Sequence, residues 1–235
     1  MLSWDFDKRR TAQPILPFLY LGASATARDA TFLSATGITF LLAVRSSYAV
    51  AARPKYLDPA TYPTTGNRNT ATFDVDTPFD FITKVKPAIK SVVDYLEANT
   101  TKPLISANDI NAKILVYCES GNDRSAAFVV AFLMVVYCLD AATAVQLVQS
   151  QRYCIYIEDG FKRMLMDFDQ ILQAERQVVS AHMQAGQGSS PYQQSNQAPT
   201  TTKRAFAAYS GDGEMGGCVD SVEDSRLGMA PFADA

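Results

Sequence analysis

Cys118-Glu119-Ser120-Gly121-Asn122-Asp123-Arg124-Ser125 lies between an apolar run at 113–117 and a longer one at 126–137. The first run has the length of a strand and the second that of a buried helix. A cysteine and an arginine with five residues between them therefore fall in a strand-to-helix turn. Such a turn aims backbone amides at an anion, and the helix N-terminus adds the positive end of its dipole. The same field favours a thiolate on Cys118. Arg124 brings a planar fork that matches two phosphate oxygens, and Ser125 brings a hydroxyl able to donate to the sulfur. The competing reading is a buried structural cysteine. Gly121 at mid-loop, Ser125 after the arginine, the strand before and the helix after together favour an anion loop with a nucleophile at its base.

This segment resembles the active-site loop of the cysteine-dependent dual-specificity phosphatases, whose pattern is His-Cys-x-x-Gly-x-x-Arg-Ser. Ile15-Leu16-Pro17-Phe18-Leu19-Tyr20-Leu21-Gly22 is similar to the family's opening strand, and Leu33 with Gly37-Ile38-Thr39-Phe40-Leu41-Leu42 to its first helix-to-strand passage. Residues 124–134, the stretch Gln151-Arg152-Tyr153-Cys154-Ile155, and Trp4 with Arg9-Arg10, Gln13 and Ile15-Leu16-Pro17 resemble the STYX-like branch in particular. The resemblance covers residues 4–178. It implies a cysteine-dependent phosphatase fold and hydrolysis of phosphotyrosine, with phosphoserine and phosphothreonine added if the pocket is shallow, through a cysteinyl-phosphate. Cys118, Arg124 and Ser125 carry over as catalytic positions. Glu119, Ser120, Gly121, Asn122, Asp123 and Arg124 carry over as the residues whose amides bind substrate. No metal and no cofactor are implied, and the partners are phosphorylated proteins, protein kinases among the candidates.

The leaving oxygen needs a proton, which the family takes from an aspartate on the loop after the preceding strand. That region reads Phe73-Asp74-Val75-Asp76-Thr77-Pro78-Phe79-Asp80 and offers three carboxylates. Asp76-Thr77-Pro78 aligns best with the family's acid, ahead of Asp74 and then Asp80. The competing role for Asp76 is a turn or helix-capping residue.

The chain departs from the family where Tyr117 replaces the histidine that normally organises the loop. Glu119 and Asp123 add two carboxylates beside it, read here as pointing outward. They subtract positive potential where a substrate brings about two negative charges, which argues against phosphoinositides. The STYX-like branch includes inactive members that bind phosphoproteins without hydrolysis, so a pseudophosphatase is the alternative function. A rhodanese-like or low-molecular-weight phosphatase relative fits less well, because the loop lies in mid-chain and a long amphipathic helix follows it.

Composition is compatible. Of 235 residues only one is histidine, His182, so the core holds no Ser-His-Asp triad, Cys-His pair or multi-histidine metal site. Cys118, Cys138, Cys154 and Cys218 have no disulfide or zinc spacing, which fits a reducing compartment, cytoplasmic or nuclear. A net charge of −3 implies no general nucleic-acid or membrane electrostatics. The opening residues carry no signal-like apolar core, and the apolar stretch at 126–139 is too short to span a bilayer. Oligomeric state is not legible.

Periodicity predicts a strand at 15–22, a helix at 29–35 ended by Gly37, a strand at 38–44, a long surface loop at 45–71 and a strand at 71–75. A helix through 82–96 is predicted to kink or start at Pro87. A polar loop follows at 99–111, then the central strand at 113–117. Asp140 is predicted to cap a helix carrying Val145, Leu147 and Val148. Phe161, Met164, Leu165, Phe168, Ile171 and Leu172 form a last amphipathic stripe. The alternation gives an α/β fold with a mostly parallel central sheet flanked by helices, the ligand at the C-terminal end of a strand. The domain organisation reads as an N-terminal extension at 1–12, a dual-specificity-phosphatase-like domain at 13–180 and a disordered C-terminal tail at 181–235.

Overall fold

A computed structural model describes residues 6–100 and 110–186. The expectations for Trp4, for most of the 99–111 loop and for the tail beyond 186 lie outside the described residues. Five strands form one sheet: β1 (Gln13–Leu16), β2 (Leu19–Ala23), β3 (Phe40–Arg45), β4 (Asn69–Asp74) and β5 (Ile114–Cys118), in the order β1-β2-β5-β3-β4. β2, β5, β3 and β4 run parallel, and β1 pairs antiparallel with β2 at the edge. The helices are α1 (Ser24–Ala27), α2 (Ala30–Thr36), α3 (Ser47–Ala52), α4 (Pro78–Ala98), α5 (Arg124–Val136), α6 (Ala141–Gln151) and α7 (Asp159–Gly186). Among the described residues no helix is long and apolar enough to cross a membrane.

The central strands are apolar throughout because both faces are covered. Ile114, Val116 and Cys118 of β5 join one core, together with Phe40, Leu42 and Val44 of β3 and the apolar faces of α4, α5, α6 and α7. Leu115 and Tyr117 point the opposite way, into a smaller core with Leu33, Leu41, Leu57 and Tyr62. α5 is buried along 125–134 and packs on β2, β5 and β3. α4 presents Phe81, Val85, Ile89, Val92 and Leu96 along one stripe.

Four expectations are corrected. The stretch 15–22 is a hairpin and not one strand, because Pro17 has no N–H to continue a ladder and the chain turns there. Residues 45–71 are no open surface loop: Ser46 caps α3 by accepting from the Ala49 amide, and Leu57, Tyr62 and Thr65 are buried over the sheet. Buried polar ties hold this segment down, since Arg45 donates to the Tyr56 carbonyl at 3.3 Å and the Tyr117 hydroxyl to the Leu57 carbonyl at 3.3 Å. α4 starts at Pro78, with Thr77 capping the Asp80 amide, and runs through Pro87. Pro87 is exposed, so the carbonyl it leaves unpaired faces water. Ile171 is 40% exposed while Phe161, Met164, Leu165, Phe168 and Leu172 are buried, because it sits off the arc that the other five share.

The readings of Gly37 and Asp140 agree with the structure: Gly37 closes α2 in the left-handed region, and Asp140 accepts from the Thr143 amide at 2.9 Å; Asp29, read as the first helical residue, stands one position before α2 and caps it by accepting from the Phe32 amide at 3.0 Å. Phe128, with no exposed surface and its ring 5.4 Å from that of Phe73, joins α5 to the sheet. Phe128→Ala is expected to cost about 3–5 kcal/mol. The readout is a lower urea midpoint at unchanged slope, and an unmoved midpoint contradicts the packing.

Candidate functional site

β5 delivers Cys118 to the C-terminal edge of the sheet, and α5 begins six residues later at Arg124. The loop between them is shaped by two close approaches. Gly121 has φ +75°, and a Cβ there would lie 2.4 Å from the carbonyl carbon and oxygen of Gly22. Only glycine fits both the backbone region and the gap. β2 thus presses on the loop from one side, and on Gly22 itself a Cβ would meet that of Ala12, just before β1, at 2.6 Å.

Arg152 shapes the loop from behind, and sequence reasoning assigned it no role. Its side chain has no exposed surface. Nε donates to the Gly121 carbonyl at 3.0 Å. One terminal nitrogen donates to the Thr11 carbonyl at 2.8 Å and to Gln13 Oε1. The other donates to the carbonyls of Arg9 at 2.9 Å and Ser120 at 3.2 Å and to Asn122 Oδ1 at 3.0 Å. A trans peptide holds its C=O and N–H antiparallel. Pulling the Ser120 and Gly121 carbonyls toward Arg152 therefore turns the Gly121 and Asn122 amides the other way. The Gly121 amide meets Cys118 Sγ at 3.2 Å, and the Asn122 amide meets Ser120 Oγ at 3.3 Å. Burial lowers the proton affinity of Arg152 from its ordinary value, while Cys154 and Cys118 oppose that shift and Arg9 adds to it. The guanidinium nonetheless stays a cation at neutral pH.

Cys118 is buried, and the Ser125 hydroxyl, also buried, donates to its sulfur at 3.1 Å. Arg124 opens α5, and its Nε is buried without a hydrogen-bond acceptor among the described residues. A buried cationic donor in that condition is costly unless an anion meets it.

The two acidic loop residues are engaged at its rim. Glu119 is exposed and accepts from the Tyr56 hydroxyl at 2.6 Å, while its carbonyl accepts from the Ser24 amide and hydroxyl at 3.3 Å. Burial, then the bond to Glu119, pushes the Tyr56 phenol up to about 12, so it remains a donor at neutral pH. Asp123 accepts from the Glu158 amide at 3.0 Å, and the Asn122 carbonyl from the Tyr156 amide at 2.8 Å, tying the loop to the segment before α7. Cys154 donates to Asn122 Oδ1 at 3.3 Å. Tyr117 takes no part in the loop: its ring is buried on the far face of the sheet, 6.4 Å from that of Tyr62. Burial there pushes the phenol well above its ordinary value.

The three acid candidates separate by their bonds. Asp74 is held in a bidentate pair with buried Arg45, both contacts 2.7 Å. Asp80 sits in the first turn of α4, 3.2 Å from Lys84. Asp76, exposed, follows β4, and its Oδ1 accepts from the Tyr48 amide at 2.8 Å and the Ser46 hydroxyl at 3.2 Å. β4 and β5 flank β3 in parallel, so the strand ends lie on one edge, about 10 Å apart across two strand spacings.

Residues 19–171 match the family model described as dual specificity phosphatase, catalytic domain. The chain is 28% identical over 177 residues to the serine/threonine/tyrosine-interacting protein of Homo sapiens, covering 74% of this chain and 71% of that one. It is 30% identical over 162 residues to dual specificity protein phosphatase 1B of Arabidopsis thaliana, covering 66% and 80%. Among solved structures, the human tyrosine phosphatase-like serine/threonine/tyrosine-interacting protein aligns with TM-score 0.54 at 25% identity, over 69% of this chain and 97% of that one. A leucine rich repeat and phosphatase domain containing protein from Entamoeba histolytica shares the fold, with TM-score 0.54 at 18% identity over 71% and 96% of the two chains.

The Arg152 geometry is directly testable. A lysine brings three donors where Arg152 serves six oxygens. Arg152→Lys is therefore expected to destabilise by about 3 kcal/mol or more, seen as a lower Tm, and to weaken vanadate binding at the loop. An unchanged Tm with unchanged vanadate affinity contradicts the assignment.

Proposed function

The chain belongs to the dual specificity phosphatase catalytic-domain family, and on that premise we propose that it hydrolyses phosphotyrosine, with phosphoserine and phosphothreonine, through a cysteinyl-phosphate. The observation that carries this reading is the pairing of Cys118 Sγ, which accepts from the Gly121 amide and the Ser125 hydroxyl, with the buried, unsatisfied Nε of Arg124. Two donors stabilise negative charge on sulfur, and among the described residues no acceptor meets the buried cationic donor of Arg124, at the start of α5.

In the first step the Cys118 thiolate attacks phosphorus, the S–P bond forms and the ester P–O bond breaks. Arg124 and the loop amides, at the N-terminus of α5, bind the non-transferring oxygens. Asp76 gives its proton to the leaving oxygen. In the second step Asp76 takes a proton from water, the water oxygen bonds to phosphorus, and the S–P bond breaks to return the thiolate, which Ser125 steadies by its hydrogen bond. The bonds described for Asp74 and Asp80 leave Asp76 as the favoured acid. Its contacts to Ser46 and Tyr48 give it a fixed position, so capping α3 and proton transfer are compatible roles. Glu119 and Asp123 make the rim less positive, which favours phosphoproteins over more highly charged ligands. The proposed setting is a reducing cytosolic or nuclear one, where the thiolate is not oxidised.

Hydrolysis of an aryl phosphate by the full chain tests this. Cys118→Ser is expected to abolish turnover, and Asp76→Asn to lower kcat about 10²–10³-fold, while Asp74→Asn acts first on stability by stranding Arg45. Turnover that survives Cys118→Ser overturns the mechanism. A folded protein without turnover that binds phosphopeptide through Arg124 would instead be a phosphoprotein-binding module of the STYX-like kind.

A further inference from the structure

The two residues that flank Cys118 reach the same dipeptide. On the far face of the sheet the Tyr117 hydroxyl donates to the Leu57 carbonyl at 3.3 Å, and at the rim the Tyr56 hydroxyl donates to the Glu119 carboxylate at 2.6 Å. The reaction above assigns Tyr56 no part. Its place is nonetheless fixed from several directions. Arg45, at the end of β3, donates to the Tyr56 carbonyl at 3.3 Å, and the Tyr56 amide donates to the Arg53 carbonyl at 2.7 Å. The Arg53 guanidinium lies over the Tyr56 ring, 4.5 Å from its centroid. Leu57 is buried at φ +50°, a left-handed conformation that a bulky side chain keeps only where its surroundings impose it. The bend falls where the chain leaves the rim for the core.

Glu119 is held at both ends. Its carbonyl accepts from the Ser24 amide and hydroxyl, each at 3.3 Å, which fixes the backbone, while the Tyr56 hydroxyl sets the direction of the carboxylate. A glutamate with a fixed backbone still sweeps a wide arc through its side-chain rotamers. Released from Tyr56, this carboxylate has an alternative in the phosphate site itself. Arg124 Nε is buried without an acceptor among the described residues. The charge of Arg124 reaches the Tyr56 phenol, where it opposes the upward push of burial and Glu119. The carboxylate bonded to that phenol lies in the same field. A guanidinium fork takes two carboxylate oxygens as readily as two phosphate oxygens. A carboxylate tethered beside the loop therefore competes with phosphate at a high local concentration.

We propose that Tyr56 is a positioning residue that holds the Glu119 carboxylate outward and so keeps the anion site of Cys118 and Arg124 open to phosphate. This deepens the reading of the loop as a phosphate site and rests on it. An acidic residue next to the nucleophile is an internal inhibitor unless it is restrained. A phenol suits that task, because at neutral pH it keeps its proton, donates to the carboxylate and adds no charge of its own at the mouth of the site. The brace is anchored to both neighbours of Cys118. Tyr117, standing where the family has histidine, fixes the Leu57 carbonyl from the opposite face and thereby steadies the residue beside Tyr56.

The test is a double-mutant cycle on the full chain, read by the Kd for inorganic phosphate and by KM and kcat for an aryl phosphate. Tyr56→Phe keeps the ring and removes the hydroxyl. It is expected to raise the phosphate Kd and the KM about tenfold, while kcat at saturating substrate stays within about twofold. In a Glu119→Gln background the same substitution is expected to move Kd and KM by less than about twofold. A tyrosine that served only the fold would lower Tm and act equally in both backgrounds. That equality, or a phosphate Kd that Tyr56→Phe leaves unmoved, overturns the proposal. The predicted pattern in Kd from a protein without turnover keeps the brace and sinks the enzyme reading. Turnover that depends on Cys118, with a Kd indifferent to Tyr56, does the reverse.

Discussion

Burial of one guanidinium sets the shape of the loop from Cys118 to Arg124. Arg152 comes from the end of α6, and its donors meet oxygens of the N-terminal segment and of the loop. Desolvating such a cation costs several kcal/mol, and only a full set of acceptors offsets it. Here the set includes backbone carbonyls whose antiparallel amides must then face the anion side. A charge set behind the loop thereby orients the amides proposed to bind phosphate. The same side chain keeps the residues before β1 in place, so that segment is part of the site's architecture.

Around this frame the electrostatics are uneven. Positive charge gathers at Arg124, Arg152, Arg9 and Arg10, on the loop and its β2 flank. Negative charge gathers at Glu119 and Asp123, each held by a partner at the rim, the Tyr56 hydroxyl and the Glu158 amide respectively. Among the described residues neither carboxylate forms an ion pair, so no adjacent cation offsets either one and both lower the local potential. Tyr117, which replaces the family's histidine, has exchanged a role at the loop for one in the opposite core, where it holds down the segment around Leu57.

Much of this was legible in the chain itself. The loop 118–125 announced its strand, its turn and its helix because the apolar periods change there and because glycine, arginine and serine stand at fixed offsets. The cap at Asp140 and the stop at Gly37 were readable, since capping is a local interaction. Arg152 was not, because its partners are more than 130 residues away at Arg9, Thr11 and Gln13, and one arginine in a helix terminus looks like any solvated one. The hairpin at Pro17 was signalled by the proline and masked by the apolar run around it. The segment 45–71 looked polar and loop-like because its buried positions, Leu57, Tyr62 and Thr65, follow no helical or strand period. Asp76 already ranked above Asp74 from its place between strand and helix; what the sequence did not show is the Arg45–Asp74 pair, which joins neighbouring strands and leaves no trace in sequence spacing.

The central claim is that Cys118 becomes covalently phosphorylated during turnover. Denaturing quench of the wild-type protein within the first turnover of an aryl phosphate, followed by trypsin and mass spectrometry, measures this directly. Cleavage after Lys113 and Arg124 releases Cys118 in a peptide with no other cysteine. The account predicts one phosphate on that peptide, appearing before steady state and disappearing as substrate is exhausted. Aryl alcohol released while that peptide stays unmodified, or phosphate found on another residue, would contradict it.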